Sequence, residues 1–430
     1  ERQAHGRSYG QPVETVQGRN VMRLLEARDL ILAKEKVCDH CLGRQFHTKF
    51  KDYTNDQIGA AIRKAKTEKE IEANLKKKMK PKLLKTCVLC GGIFAEKDRY
   101  SAMLKKEVKK HDFQTLLIGS HIRKELIERE EKLWEEIGAE HCEPIKREIN
   151  RTFGLMVWHW TKKNAEFNFP DVLFTIDFRK KRIETKLNPL YVYGRYRKLV
   201  RGIPQTKWPC RECRGRGCKK CGYTGKQYQE TVEELVAEKA IEETKGKSSS
   251  FHGEGREDID ARMLGKGRPF ILEIFEPKKR QIDLKKLEEK INKFTKDKVE
   301  ISGLRPSSRR EVQLIKAMKH EKTYDALIDC PKASKEDLKT LGEYFHERLI
   351  SQKTPTRVLH RRADKVRKRK IAYVEAKIVK GGFRAVIKTQ AGAYIKELVN
   401  GDNGRTEPSF SSVIKKPCVV RELDVIEVGE

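Results

Sequence analysis

Long apolar runs are missing from this chain: across its 430 residues nothing approaches the roughly 20 consecutive apolar positions that a membrane-spanning helix needs. No signal-peptide pattern opens it, so a soluble, cytoplasmic protein is expected. Acidic charge is also in short supply, with 63 Asp and Glu against 95 Lys and Arg, a net charge of +32. That imbalance calls for a polyanionic partner, because every phosphate neutralised by a cation releases counterions. Without a spanning segment, nucleic acid is favoured over a membrane surface. A Walker-type phosphate loop is lacking too, since Gly265-Lys266-Gly267 does not have its spacing. No internal repeat is evident, and the length predicts two or three domains.

What is present begins with 11 cysteines, an odd number in which Cys-x-x-Cys pairs dominate. Cys38, Cys41, Cys87 and Cys90 form two pairs far apart, and Cys210, Cys213, Cys218 and Cys221 form two pairs close together, most with glycine nearby. Such spacing belongs to metal sites rather than disulfides. Two structural Zn2+ ions are expected, because four thiolates leave no coordination position open for chemistry. Cys142, Cys330 and Cys418 have no partner at metal spacing and read as small core residues.

Residues 1 to 20 are polar and aperiodic, an expected loose extension, and a helical pattern opens at Val21 to Lys34. A helix over Asp56 to Leu84 ends in Lys76, Lys77, Lys78, Lys80 and Lys82, broken by Pro81; this is either a ridge facing RNA or a solvated face. From Phe113 the pattern predicts a short strand, an amphipathic helix, a second helix at Pro144 to Thr152, and strands at Leu155 to Trp160 and Val172 to Phe178. Further on, Tyr191, Tyr193 and Tyr196 alternate with Arg195, Arg197, Lys198 and Arg201. They suit RNA by stacking and charge, or else form a strand with an aromatic core face. A helix at Glu230 to Thr244, a flexible polar loop at Lys245 to Ser250, and a buried strand at Pro269 to Phe275 follow.

Asp283 should cap the next helix, Val299 to Ile301 should return as a strand, and Ser334 with Asp337 should begin another helix. A hairpin is expected across Lys380-Gly381-Gly382, then a short helix near Tyr394 to Val399 and a last strand near Val419 to Val428. The fold class is α+β, with a mixed, mostly antiparallel sheet flanked by helices in the second half. Arg361, Arg362, Lys365, Arg367, Lys368, Arg369 and Lys370 crowd the approach to the hairpin, and RNA contact is the favoured reading.

The segment from Phe251 to Phe270 brackets acidic residues with glycines and sets arginines beside them, as a loop would that presents a carboxylate. Within it, Gly255-Arg256-Glu257-Asp258 resembles the Gly-Arg-x-Asp signature of pseudouridine synthases. Two further strings agree in order. Lys322-Thr323-Tyr324-Asp325-Ala326 resembles their Lys-x-Tyr-x-Ala segment, and Gly392-Ala393-Tyr394-Ile395-Lys396 resembles their Gly-Thr-Tyr-Ile-Arg/Lys segment. With Asn188 to Cys210, the cysteine pairs and the Arg357 to Asp364 string, residues 33 to 430 are similar to the archaeal-type, THUMP-containing tRNA pseudouridine synthases that act on the TΨC arm.

That resemblance implies an enzyme whose substrate is tRNA, modifying adjacent uridines at tRNA positions 54 and 55 with no cofactor in the chemistry and no obligate protein partner. It implies Asp258 as nucleophile, attacking C1′ of the ribose or C6 of the base, or acting through a glycal. Lys396 would pair with that carboxylate, Tyr324 would stack on the flipped uracil and assist proton loss at C5, and Tyr394 would line the pocket. Arg256 and Arg262 would hold phosphate or pry the uridine from its stack. Asp260, two residues on, is the rival acid. Residues 1–32 would be an extension and leading helix, 33–182 a zinc-braced THUMP-type domain, and 183–430 the catalytic domain with its knuckle at 208–224. A non-catalytic zinc-ribbon protein that binds RNA explains charge and cysteines equally well, but not the ordered trio of strings. A different THUMP-bearing tRNA enzyme would need a cofactor loop, an ATP loop or a catalytic zinc, none of which is evident.

Overall fold

The structure is a computed structural model and describes residues 23–34, 36–77 and 79–429. The extension read over residues 1 to 20, Val21, and Lys78 lie outside the described residues, as does the side chain of Arg361. The chain separates into two compact units, one made of the described residues up to Lys110 together with Gln114–Lys186, the other of His111–Phe113 and the residues from Leu187 onward.

In the first unit the helices are α1 (Leu24–Ala33), α2 (Asp39–Gly43), α3 (Asn55–Lys64), α4 (Glu68–Lys76) and α5 (Lys97–Val108). Then come β1 (Thr115–His121), α6 (Lys124–Ile137), α7 (Ile145–Thr161), β2 (Asn164–Ala165), β3 (Val172–Asp177) and β4 (Arg182–Leu187), the strands ordered β2-β1-β3-β4. β1 alternates half-buried and buried residues, the signature of a sheet covered on one face. The single helix expected at 56 to 84 is two, because the chain turns extended at Ala65 and restarts after Thr67, ending before Pro81. The strand expected at Leu155 to Trp160 is instead the second half of α7. Its buried residues Ile145, Ile149, Phe153 and Val157 recur every four positions, while Leu155 and Trp158 face outward. Helical burial against β1 overrides the local preference of the aromatic run for strand.

The second unit is built on a 10-stranded sheet. Its elements are β5 (Leu190–Lys198), α8 (Val232–Thr244), β6 (Ser248–Gly253), β7 (Arg262–Phe275), α9 (Leu284–Phe294), β8 (Val299–Pro306), α10 (Arg309–Ala317) and β9 (Lys322–Asp329). They continue with α11 (Lys335–Phe345), β10 (Arg348–Lys353), β11 (Val366–Val379), β12 (Gly382–Thr389), α12 (Ile395–Asn400), β13 (Thr406–Glu407), α13 (Phe410–Ile414) and β14 (Val419–Val428). The strand order is β13-β10-β11-β12-β9-β14-β7-β5-β8, with β6 added beside β7. Only the β14–β7 pair among these is parallel, so the sheet is mixed and mostly antiparallel.

Local chemistry explains several boundaries. The Thr231 hydroxyl accepts the amide of Glu234 to start α8, the Asp283 carboxylate accepts those of Lys285 and Lys286 to start α9, and Ser334 and Asp337 cap α11 reciprocally. The loop expected at Lys245 to Ser250 becomes a strand from Ser248, because its polar backbone completes the sheet beside β7 through main-chain hydrogen bonds that no side-chain pattern announces. Phe251 and Phe270 stack across that pair with ring centroids 4.7 Å apart. Of the two readings left open for the tyrosines of β5, Tyr196 takes the core one, fully buried against both of these phenylalanines. Gly265 lies at φ +58°, where an added Cβ would sit 1.9 Å from the Ile426 carbonyl, so a side chain there would push β14 away from β7.

Candidate active site

Asp258 sits in the loop between β6 and β7, and the loop is held from below by buried charge. Gly255 turns at φ +72°. Glu254 and Glu257 then point inward: the Glu254 carboxylate meets His320 at 3.0 Å and Lys322 at 3.5 Å, while Oε2 of Glu257 accepts from the Tyr196 hydroxyl at 2.8 Å and from Nε of Arg268 at 3.0 Å. Arg268, itself buried, also donates to the Glu254 carbonyl at 2.7 Å.

Lys198, at the end of β5, has no exposed side-chain surface; its ammonium donates to the carbonyls of Ile203, Asp258 and Ile259 at 3.0, 3.1 and 3.2 Å. Burial lowers the pKa of this ammonium, opposed by the Glu257 carboxylate 3.8 Å away. The Asp258 carbonyl also accepts the amide of Ala261, closing a tight turn over 258–261. With 257 drawn into the core and the carbonyl of 258 pinned, the Asp258 side chain is directed outward.

It faces a cleft of about 530 Å³, within the roughly 300–1,000 Å³ range of ligand pockets. Tyr324 from β9, Tyr394 just before α12, and Arg268, Lys322 and Arg357 line the same space. Tyr324 is 8% exposed, and its hydroxyl is pushed up to about 12, chiefly by burial, so the ring is a neutral phenol at physiological pH. Tyr394 is held by its backbone, which exchanges two hydrogen bonds of 2.9 Å with the Gln352 side chain, and its hydroxyl accepts from Arg362 at 2.9 Å.

The cation closest to Asp258 is Arg357, whose two terminal nitrogens reach the two carboxylate oxygens at 3.0 and 3.2 Å, while its Nε donates to Glu397 at 2.8 Å. Lys396, expected to pair with Asp258, lies 3.9 Å from it and donates to Asp260 at 2.6 Å. Partial burial acts to raise Asp260, but the bond and charge of Lys396 outweigh it and hold this carboxyl below its usual range. Of the expected substrate arginines, Arg256 is exposed and lines the cleft. Arg262 forks onto Asp424, at 2.6 and 3.1 Å, and is not among the lining residues. Sequence reasoning assigned no role to Arg357 or Glu257; Arg268 stood among the loop's arginines, read as holding phosphate or keeping Asp258 ionised, and Lys198 among the cations suited to RNA, but both are buried beneath the loop. Arg357 stood inside the 357–364 string, and Glu257 inside the Gly-Arg-x-Asp string itself.

Both cysteine quartets converge, with all four sulfurs of each set within 4.8 Å of one another. Sulfur separations of 3.8 Å for Cys38–Cys90, 3.9 Å for Cys210–Cys218 and for Cys213–Cys221, and 3.7 Å for Cys218–Cys221 suit a tetrahedron with metal–sulfur bonds of about 2.3 Å. Backbone amides of Gly217 and Gly225 donate to Cys213 and Cys221 at 3.1 and 3.2 Å, as they would to thiolates. Each quartet can hold one structural metal ion. The first is tied into its unit through buried Arg44, which donates to Cys41 Sγ at 2.7 Å and to Glu130 at 2.9 Å.

Comparison with known proteins places this geometry. Residues 191–429 match the family described as "Pus10, C-terminal", and residues 100–177 match "Pus10 THUMP domain, archaeal". The tRNA pseudouridine synthase Pus10 of Methanocaldococcus jannaschii is 43% identical over 93% of this chain and 93% of that protein. The protein of the same name from Methanothermobacter marburgensis is 42% identical over 95% of this chain and all (100%) of its own length. That of Pyrococcus furiosus is 36% identical over 94% of this chain and 98% of its own. A solved Cbf5–Nop10–Gar1 complex aligns at a TM-score of 0.31 and 14% identity over 55% of this chain and 49% of that one, a likeness too slight to argue from. With two family regions matched in order and identity sustained over nearly the whole length, the chain belongs to the Pus10 family of pseudouridine synthases.

Proposed function

We propose that this enzyme isomerises uridine to pseudouridine in tRNA, at the adjacent positions 54 and 55 of the TΨC loop, with Asp258 as the nucleophile. The observation that carries the reading is the placement of Asp258: an outward carboxylate, forked by Arg357, above a cleft walled by Tyr324 and Tyr394. Its relatives' name supplies the reaction and the substrate class.

The reaction breaks the N1–C1′ bond, turns the uracil, and forms C5–C1′; C5 gives up a proton and N1 gains one, so the product is an isomer and no oxidant is consumed. Attack by the carboxylate at C1′ or at C6, or a glycal route, all begin from an ionised Asp258. Arg357 and, at longer range, Lys396 set two cations beside that carboxylate inside the cleft. Tyr324 is assigned to stack on the flipped base, standing beside C5 as that carbon loses its proton, and Tyr394 to close the pocket. Arg256 and the cations of 362–370 are assigned to phosphate. Arg262, engaged with Asp424, would act on RNA only by exchanging that partner.

The region 33–182 is assigned to gripping tRNA and 183–430 to chemistry, each with one structural Zn2+ held by its quartet and neither ion taking part in the reaction. Among the described residues no helix is long and apolar enough to cross a membrane. A tRNA substrate makes the cytoplasm the proposed compartment, and no obligate protein partner is proposed.

The test is chemical mapping of pseudouridine in an unmodified tRNA transcript incubated with the protein and no added cofactor. Wild type should convert the TΨC-loop uridines, and Asp258→Ala should bind the transcript yet convert none. Turnover by Asp258→Ala at the wild-type rate would remove the assignment. A dead Asp260→Ala beside an active Asp258→Ala would move the nucleophile to Asp260.

A further inference from the structure

A second, smaller cleft opens against the same loop. It holds about 150 Å³ between Trp208 and residues 256 to 260, and shares Gln205, Arg256, Asp258 and Arg357 with the larger cleft. A volume this far below the roughly 300 Å³ of a self-contained ligand pocket suits one flat group of a ligand already anchored next door. Its wall is an aromatic and a guanidinium together: the Arg256 guanidinium carbon stands 5.4 Å from the centre of the Trp208 ring.

The ring is fixed from behind. Tyr228 meets it edge-on at 5.7 Å, the Trp208 carbonyl accepts the Gln227 amide at 2.8 Å, Pro209 bridges to Lys226, and the Cys210 amide donates to Gly225 at 2.8 Å. These contacts make a short antiparallel stem, closed at its far end by the quartet of Cys210, Cys213, Cys218 and Cys221. The knuckle therefore presents one indole to the edge of the reacting site. A base can stack on such a ring while a guanidinium meets the phosphate that joins it to its neighbour, and stacking of this kind tolerates any base.

We propose that the Trp208–Arg256 cleft is a second nucleotide subsite, taking the nucleotide adjacent to the target uridine while Arg256 and Arg357 meet the phosphodiester between them. This rests on the reading of Asp258 as the reacting site. The two clefts meet at Asp258 itself, so a strand whose target base enters the larger one leads its next residue to the smaller.

The experiment compares kcat and KM for wild type, Trp208→Ala, Trp208→Phe and Arg256→Gln on three transcripts: intact, and abasic at either neighbour of the target uridine. On intact RNA, Trp208→Ala should lower kcat/KM by about ten-fold to a hundred-fold, the usual weight of one base–aromatic stack, and Trp208→Phe should restore most of it. On the transcript abasic at the neighbour that occupies the subsite, wild type should show the same loss and Trp208→Ala no further loss. Equal losses for Trp208→Ala on all three RNAs would overturn the proposal, since the ring would then be bracing the knuckle alone; so would no loss at all. Metal content and thermal midpoint identify a variant with a damaged knuckle, and Arg256→Gln, outside the knuckle and assigned to the phosphodiester that all three RNAs keep, must then lower kcat/KM by the same factor on each of them for the proposal to stand. A wild-type protein that forms no pseudouridine on intact RNA would instead fail the reading of Asp258, a different result from an active wild type indifferent to Trp208.

Discussion

Arg357 and Asp258 face each other edge to edge, two nitrogens on two oxygens at 3.0 and 3.2 Å, although 99 positions separate them in the chain. The side edge of the guanidinium is taken by Glu397, to which Nε donates at 2.8 Å and one terminal nitrogen at 3.4 Å, so the fork that orients Asp258 is itself oriented. Two carboxylates on one arginine fix its plane, and the plane fixes the direction in which Asp258 presents its lone pairs.

Replacing Arg357 with lysine keeps the charge and loses the fork. Arg357→Lys is expected to reduce single-turnover pseudouridine formation at saturating enzyme on the order of a hundred-fold, the scale of a misplaced reacting group. An Arg357→Lys protein as fast as wild type would show that charge alone suffices.

Lys198 should matter as much to the fold as to the loop. Lys198→Met takes one donor from three carbonyls, of which those of Asp258 and Ile259 keep the amides of Ala261 and Gly202, and leaves Glu257 without one of its two cations. A loss of about 3–5 kcal/mol in unfolding free energy is expected, as for other broken buried pairs. Adding Glu257→Gln should cost less than the sum of the two singles, because the groups share one network. Strict additivity in denaturant titrations would argue against that network.

The Tyr324 hydroxyl supplies a pH signature. Its folded-state value is raised to about 12 from an ordinary 10, chiefly by burial. The folded protein therefore keeps a proton that the unfolded chain releases. The stabilisation is present below about 10 and is lost as pH rises through the window up to about 12. Tyr324→Phe should show a shallower fall in stability across that window than wild type and should remove one late-titrating phenol from the ultraviolet difference spectrum. Identical alkaline curves for the two proteins would contradict the burial.

Metal content should divide by quartet. Wild type is expected to carry two Zn2+ per chain, Cys41→Ser and Cys213→Ser one each, and a strong chelator should lower the thermal midpoint, since binding to a preformed thiolate set is linked to folding. A single ion per chain in the wild type would mean that one quartet is an unmetallated thiol cluster.

Short-range rules carried much of the fold. The caps at Asp283 and Ser334 and the hairpin turn at Lys380–Gly381 were legible, because capping and turn chemistry act within a few residues. The misreadings share one cause. Leu155 to Trp160 looks like a strand by residue type, and Ser248 to Ser250 looks like a loop, until a distant partner is supplied: β1 beneath α7, β7 beside β6. For Tyr196 the sequence left RNA and core readings open for the same reason, the choice being decided by Phe251 and Phe270.

By itself the sequence determined the basic surface charge, the two cysteine quartets, and the three ordered strings that mark the family, since each is a matter of residue type and spacing along the chain. Only the tertiary structure decided which cation answers which acid. Arg357 rather than Lys396 forks Asp258, Lys396 goes first to Asp260, and Lys198 grips the loop from beneath. Charge pairing falls steeply with distance and depends on burial. Those distances are set by strands and loops that meet only once the sheet has closed.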